Sequence, residues 1–246
     1  AQPMHHFNRL YDRVKSNSLT NAEEQLFVPC DIDFLKDLYG KSNGDELKWR
    51  YNLYLSSDEE KMHLLSDHFK SLLGNTNTFS TVKDNFSGLT AKSPLNRILE
   101  MEWNTQLPDQ VLAFVDFLSM AHSVEVRSPF LDYRLVEFVA TIPGNMKIKN
   151  GNVKDILKKA TEPLLAKEII NRPKEGFVLP GFDWMADNLK VYSSDILSEN
   201  NLKKHNLLNN DAIRNLLQNY YSGNKKNVGK IWNLMMFQLW WEKFFG

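Results

Sequence analysis

The chain reads as mainly α. Three observations predict that class. From Pro94 to the end, apolar residues recur with helical spacing. Strand-like alternation is scarce, and there is no alternation of strand and helix signals of the kind that builds a parallel sheet. No internal repeat is visible.

The bounds agree with one large or two small domains. With 246 residues, 42% hydrophobic and 24% charged, the chain can bury a sizeable core. Thirty basic and thirty acidic residues cancel, so composition gives no reason to expect a nucleic-acid or membrane-surface binder. The single cysteine, Cys30, forms no internal disulfide and fits a reducing, cytoplasmic setting. No signal peptide and no membrane-spanning apolar run is visible.

Residues 1–45 read as an irregular, polar segment with short amphipathic patches, AEEQLF and IDFLKDLYG, preceding a helical region over 46–246. Residues 46–73 predict two helices joined at Ser56-Ser57, where a serine can cap the acidic turn DEEK. Gly74 to Ser93, rich in Asn, Ser, Thr and Gly, predicts a loop. In NVKDILKKATEPLLAK, Val153, Ile156, Leu157, Ala160 and Leu164 share one helical face. The last segment predicts a core helix with Ile231, Trp232, Met235, Leu239 and Trp240 on its apolar stripe.

Chemistry-bearing patterns are few. Neither G-x-x-x-x-G-K-[ST] nor G-x-G-x-x-G occurs. Cys30 has no paired CxxC or histidine cluster, so no metal site is expected, and His5-His6 read as solvated. The stretch SMAHSVEVRSPFLDYRLVEF, Ser119 to Phe138, stands out because it follows the apolar run VLAFVDFLSMA. Asp116 in that run, if buried, needs a partner, since an unpaired buried carboxylate costs several kcal/mol. Arg127 can bridge carboxylates such as Glu125, Pro129 suits a helix start, and Asp132 can cap the next helix. From the residues alone, a structural polar joint is favoured over a direct catalytic role. Further on, Lys154 lies near a helix start, and Arg172 and Lys174 flank a proline ahead of Gly176. Three such cations could contact a polyphosphate, although each lysine is also an ordinary surface residue.

Taken in order, DFLSMAHSVEVRSPFLDYRLVEFVATIP, KIKNGNVKDILKKA and IINRPKEGFVLPGFDWM resemble the C-terminal synthetase domain of glutamine-hydrolysing asparagine synthetases. RYNLYLSSDEEKMHLLSDHF and the ending IWNLMMFQLWWEKF resemble neighbouring helical segments of that family. SMAxSxExRxPFLD with RPKxGF also occurs in the related β-lactam synthetases and lasso-peptide cyclases. The resemblance implies the C-terminal helical portion of an α/β adenine-nucleotide synthetase domain, with most of its parallel sheet missing. It implies ATP-dependent amide formation through an acyl-adenylate, with ATP and Mg²⁺ as cofactors and aspartate and ammonia from glutamine as substrates. Lys154 matches the family lysine facing the ATP phosphates. Arg172 and Lys174 match a segment near the nucleotide, and Glu125, Arg127 and Asp132, with Asp116, match residues that shape the site wall.

The departures are as informative. The family's S-G-G-x-D-S pyrophosphate loop, its G-x-D-E-L-F-G-G-Y motif and its initial cysteine nucleophile are absent. GDELKWRY, with Glu46, reads as coincidence, and Phe117 replaces the arginine usual beside Asp116. The expectation is therefore the C-terminal part of a split or truncated synthetase. It would be completed by a separate chain or domain carrying the glutaminase and the nucleotide loop. The alternative is a non-catalytic binding or regulatory homologue.

Overall fold

A computed structural model describes residues 40–43, 45–52, 54–149, 152–172, 181–224 and 227–246. The readings of His5, His6, Cys30, Lys174 and Gly176, and of the N-terminal segment up to residue 39, lie outside the described residues.

The chain is mainly helical. In order come α1 (Glu46–Asn52), α2 (Asp58–Leu64), α3 (Asp67–Leu73), α4 (Thr78–Ser87) and α5 (Pro94–Asn104). A π-helical turn, Leu107–Leu112, runs into α6 (Ala113–Met120), and a 3-10 turn, Pro129–Leu131, precedes α7 (Tyr133–Thr141) and α8 (Gly144–Lys147). Strands β1 (Ile148–Lys149) and β2 (Asn152–Val153) pair antiparallel, Ile148 opposite Val153. They form the one sheet among the described residues, which contain no parallel nucleotide-binding sheet. Then follow α9 (Asp155–Thr161), α10 (Lys167–Ile170), α11 (Gly181–Ala186), α12 (Lys190–Ile196), α13 (Glu199–His205), α14 (Asn210–Tyr221) and α15 (Val228–Phe245). No described helix is long and apolar enough to cross a membrane.

Two compact units share the chain. The first comprises residues 1–49 and 82–174, the second 50–81 and 175–246. In the second, Met185, Leu197, Leu202, Ile213, Ile231 and Met235 are among the residues of a buried core. On the predicted stripe of α15, Ile231 and Met235 are buried but Trp240 is 49% exposed, while Gln238 is fully buried. The buried Gln238 has a reason. His205 Nδ1 accepts the Leu207 N–H at 2.9 Å, which puts the ring proton on Nε2, and Nε2–H donates to Gln238 Oε1 at 2.8 Å.

Three readings of the sequence need correction. Residues 46–73 make three helices rather than two. The cap at Ser57 is present as a reciprocal pair with Glu60, but the pattern breaks again at Leu65-Ser66. There Leu65 bridges Leu208, and Ser66 N–H bonds Leu207 O at 3.0 Å. The stretch read as a loop over 74–93 contains α4. Two of its orphan N–H groups are met from outside, as Asp58 Oδ1 and Oδ2 accept from Thr78 N at 2.9 Å and Phe79 N at 3.0 Å, and a third locally, as Asn77 Oδ1 accepts from Ser80 N at 2.7 Å. Finally, the amphipathic helix read from Val153 to Leu164 is confined to α9. Val153 belongs to β2, Pro163 follows the helix end, and Leu164 is 79% exposed.

In the first unit Trp49, Val82, Phe86, Ile98, Met101 and Ile142 are buried. Arg97 stacks over Phe86 with its guanidinium carbon 4.6 Å from the ring centroid, and its Nε lies 3.3 Å from Glu46 Oε2. Glu46 therefore has a structural partner. Glu100 ties down the loop before α5, accepting from Thr90 N and Ala91 N at 2.8–3.0 Å.

Candidate functional site

The described residues expected at a site, Asp116, Glu125, Arg127, Asp132, Lys154 and Arg172, fall in the first unit. Their local settings differ sharply.

Asp116, on α6, is exposed rather than buried, so the requirement for a buried partner lapses. Glu125 and Arg127 do pair, Oε1 to Nε at 2.8 Å, but the two side chains are 65% and 84% exposed. A pair so wet contributes little stability. The polar joint lies at the surface, between α6 and the Pro129 turn.

Asp132 caps α7 as expected, accepting from Arg134 N at 2.9 Å. It also holds the Arg134 guanidinium at two points, 3.0 Å and 2.7 Å. These hydrogen bonds from Arg134 keep the Asp132 carboxyl below its usual range. Arg134 was missed in the sequence because its partner lies only two residues away, a spacing that no helical period singles out.

Two backbone conformations mark this unit. Ser123 has φ 58° and Lys154 has φ 60°. The other described non-glycine residues at positive φ are asparagines, Asn43 and Asn206, a type that tolerates the left-handed region. Ser123 closes α6 with two bonds, Val124 N to Ser119 O at 3.0 Å and Ser123 N to Met120 O at 2.9 Å. That is the helix-terminating pattern in which glycine is the usual left-handed residue. Lys154 sits at the joint between β2 and α9 as the N-cap position, and its carbonyl receives Lys158 N–H at 2.9 Å. A left-handed non-glycine residue costs roughly 1–3 kcal/mol and persists only where its surroundings over-determine it. Here the hairpin fixes one side of Lys154 and the helix the other. Its side chain is exposed.

A groove of about 320 Å³ runs between α9 and α10, lined by residues including Asp155, Lys158, Lys159, Glu162 and Lys167. Lys159 is held by Asp155 at 2.7 Å. Arg172 follows α10 and is exposed. Neither Lys154 nor Arg172 lines this groove. Among the described residues no three His, Cys, Asp or Glu side chains come together as metal ligands. Glu125 and Asp132 are already bonded to arginines. The described carboxylates therefore do not fit a Mg²⁺ site by themselves.

Residues 15–242 match the asparagine synthase family. The chain belongs to that family. Among curated members it is 28% identical over 158 residues to asparagine synthetase 1 (glutamine-hydrolyzing) of Bacillus subtilis, covering 64% of this chain and 25% of that protein. Asparagine synthetase 3 of the same organism is 31% identical over 179 residues, 67% of this chain and 28% of its own length. The mouse asparagine synthetase is 45% identical over 65 residues, 25% of this chain and 12% of its own. The chain thus spans only about a quarter of the length of such relatives. No solved structure matches the chain.

Proposed function

We propose that this chain is the C-terminal part of an asparagine synthetase-type enzyme that forms an amide through an acyl-adenylate. A polypeptide carrying the nucleotide loop and a glutaminase completes it. The observation that carries this reading is the left-handed Lys154 at the junction of β2 and α9. Backbone strain of that kind concentrates where a side chain must be aimed, and this lysine stands where the family motif has its phosphate-facing lysine.

The chemistry balances as follows. A carboxylate oxygen of aspartate attacks the α-phosphorus of ATP, and pyrophosphate leaves. Ammonia then attacks the acyl carbon, AMP departs as the leaving group, and one proton is lost as the amide forms. Lys154 and Arg172 would bind the polyphosphate and offset the charge that gathers on it in the transition state. Any Mg²⁺ neutralising the phosphates would need acidic ligands beyond the described carboxylates. Asp132 and Arg134 hold the wall segment at the start of α7, and the Ser123 turn fixes where that segment leaves α6.

The experiment is reconstitution. The chain is mixed with a loop-bearing, glutaminase-bearing polypeptide, ATP, Mg²⁺, aspartate and ammonia, and asparagine and pyrophosphate are measured. Equal yields of both products are expected from the mixture. A mixture that binds ATP but forms neither product overturns the reading in favour of a non-catalytic homologue.

A further inference from the structure

Resting on the reading just given, we infer that the apolar faces of α6 and α7 are the surface on which the loop-bearing polypeptide docks. On α6, Phe114, Phe117 and Leu118 share one face at i, i+3 and i+4; on α7, Leu135, Phe138 and Val139 do the same. All six are exposed, Phe117 at 73% and Phe138 at 61%. Neither helix has a buried residue. Helices of this composition normally bury such a stripe, and large exposed apolar surface marks an interaction site.

Three observations choose the occupant. First, these helices flank the Ser123 turn and the Glu125–Arg127 and Asp132–Arg134 pairs, so whatever covers them also borders the residues assigned to the site wall. Second, the sequence lacks the family's S-G-G-x-D-S loop and no set of metal-ligating acids comes together among the described residues, so the proposed chemistry calls for a loop from another polypeptide. Third, the relatives in which this segment occurs are about four times as long as the part it matches, 25% in the first of them. One polypeptide that covers both faces and supplies the loop satisfies all three. Its own surface must be apolar where it meets Phe117 and Phe138.

The test uses the whole chain and, as probe, asparagine synthetase 1 of Bacillus subtilis with the segment matching this chain removed. Binding is read by titration calorimetry for the wild-type chain, for F117D/F138D and, as a control away from these faces, for V191D. Val191 is 72% exposed on α12. Thermal unfolding of each variant checks that the exposed substitutions leave the fold intact. Saturable one-to-one binding is expected, weakened about tenfold or more by F117D/F138D and unchanged by V191D. Failure of the wild-type chain to bind, or equal binding by F117D/F138D, overturns the proposal. So does a homodimer that F117D/F138D disperses and the probe does not displace, since the faces then belong to a second copy. Pyrophosphate release is measured alongside. Docking without release keeps the surface and sinks the adenylation reading; release that ignores Phe117 and Phe138 does the reverse.

Discussion

Asp58 accepts the backbone N–H of Thr78 at 2.9 Å, twenty residues along the chain, and so starts one helix from within another. Its second oxygen takes Phe79 N–H at 3.0 Å, and Tyr51 meets Phe79 edge-on at 5.2 Å. Partial burial alone would raise the Asp58 carboxyl, but the hydrogen bonds from Thr78 and Phe79 outweigh it and hold the group at about 2, against an ordinary 3.8. A depressed carboxylate stabilises the fold fully above the unfolded value and loses that contribution as pH falls toward the folded one. Stability of the second unit should therefore decline between about pH 4 and pH 2, by about 2 kcal/mol from this group. Asp58→Ala should remove most of that slope and cost a similar amount at neutral pH, read by chemical denaturation across pH.

Ser123 carries a conformation that glycine adopts without a side-chain penalty. Ser123→Gly should therefore stabilise the first unit, by about 1 kcal/mol, with no change in its helical content. A fall in the unfolding temperature would contradict the helix-closing role of this turn.

His205 satisfies the fully buried Gln238, and His205→Ala leaves that amide oxygen without its donor. The expected cost is about 1–3 kcal/mol, measured by denaturant midpoint. His205→Phe should recover only part of that cost, because it restores the aromatic contacts with Phe237 and Trp241 but not the hydrogen bond.

Lys154→Ala in the reconstituted enzyme should lower the amide-forming rate by about two orders of magnitude, on the order of 3 kcal/mol, without loss of folding. Lys154→Gly separates the two roles of the position. It relaxes the backbone and removes the ammonium, so it should unfold no more easily than the wild type yet be as slow as the alanine variant.

Much of the fold was legible because it is local. The Ser57 cap, the Asp132 cap and the burial of Ile231 and Met235 follow from spacing and side-chain chemistry alone. What escaped depends only in part on distant partners. No reading of Gly74 to Ser93 by itself shows that Asp58 will cap α4. The hairpin was missed although Asn150-Gly151 between Ile148 and Val153 is a recognised turn signal. At the site, motif order identified the family, and Asp132 at the α7 cap was foreseen. The apolar run around Asp116 raised the possibility of burial, whereas α6 and α7 leave their apolar faces open. Hydropathy reports what a segment can bury, and the polypeptide that covers it need not be nearby in the sequence.

The most direct measurement follows oxygen-18 from the carboxylate of labelled aspartate, with the chain alone and with the loop-bearing polypeptide added. An acyl-adenylate forces one labelled oxygen into AMP when AMP is displaced by ammonia. The account predicts labelled AMP and stoichiometric pyrophosphate from the mixture, and neither from the chain alone. Labelled AMP from the chain alone, or product from the mixture with unlabelled AMP, would contradict it.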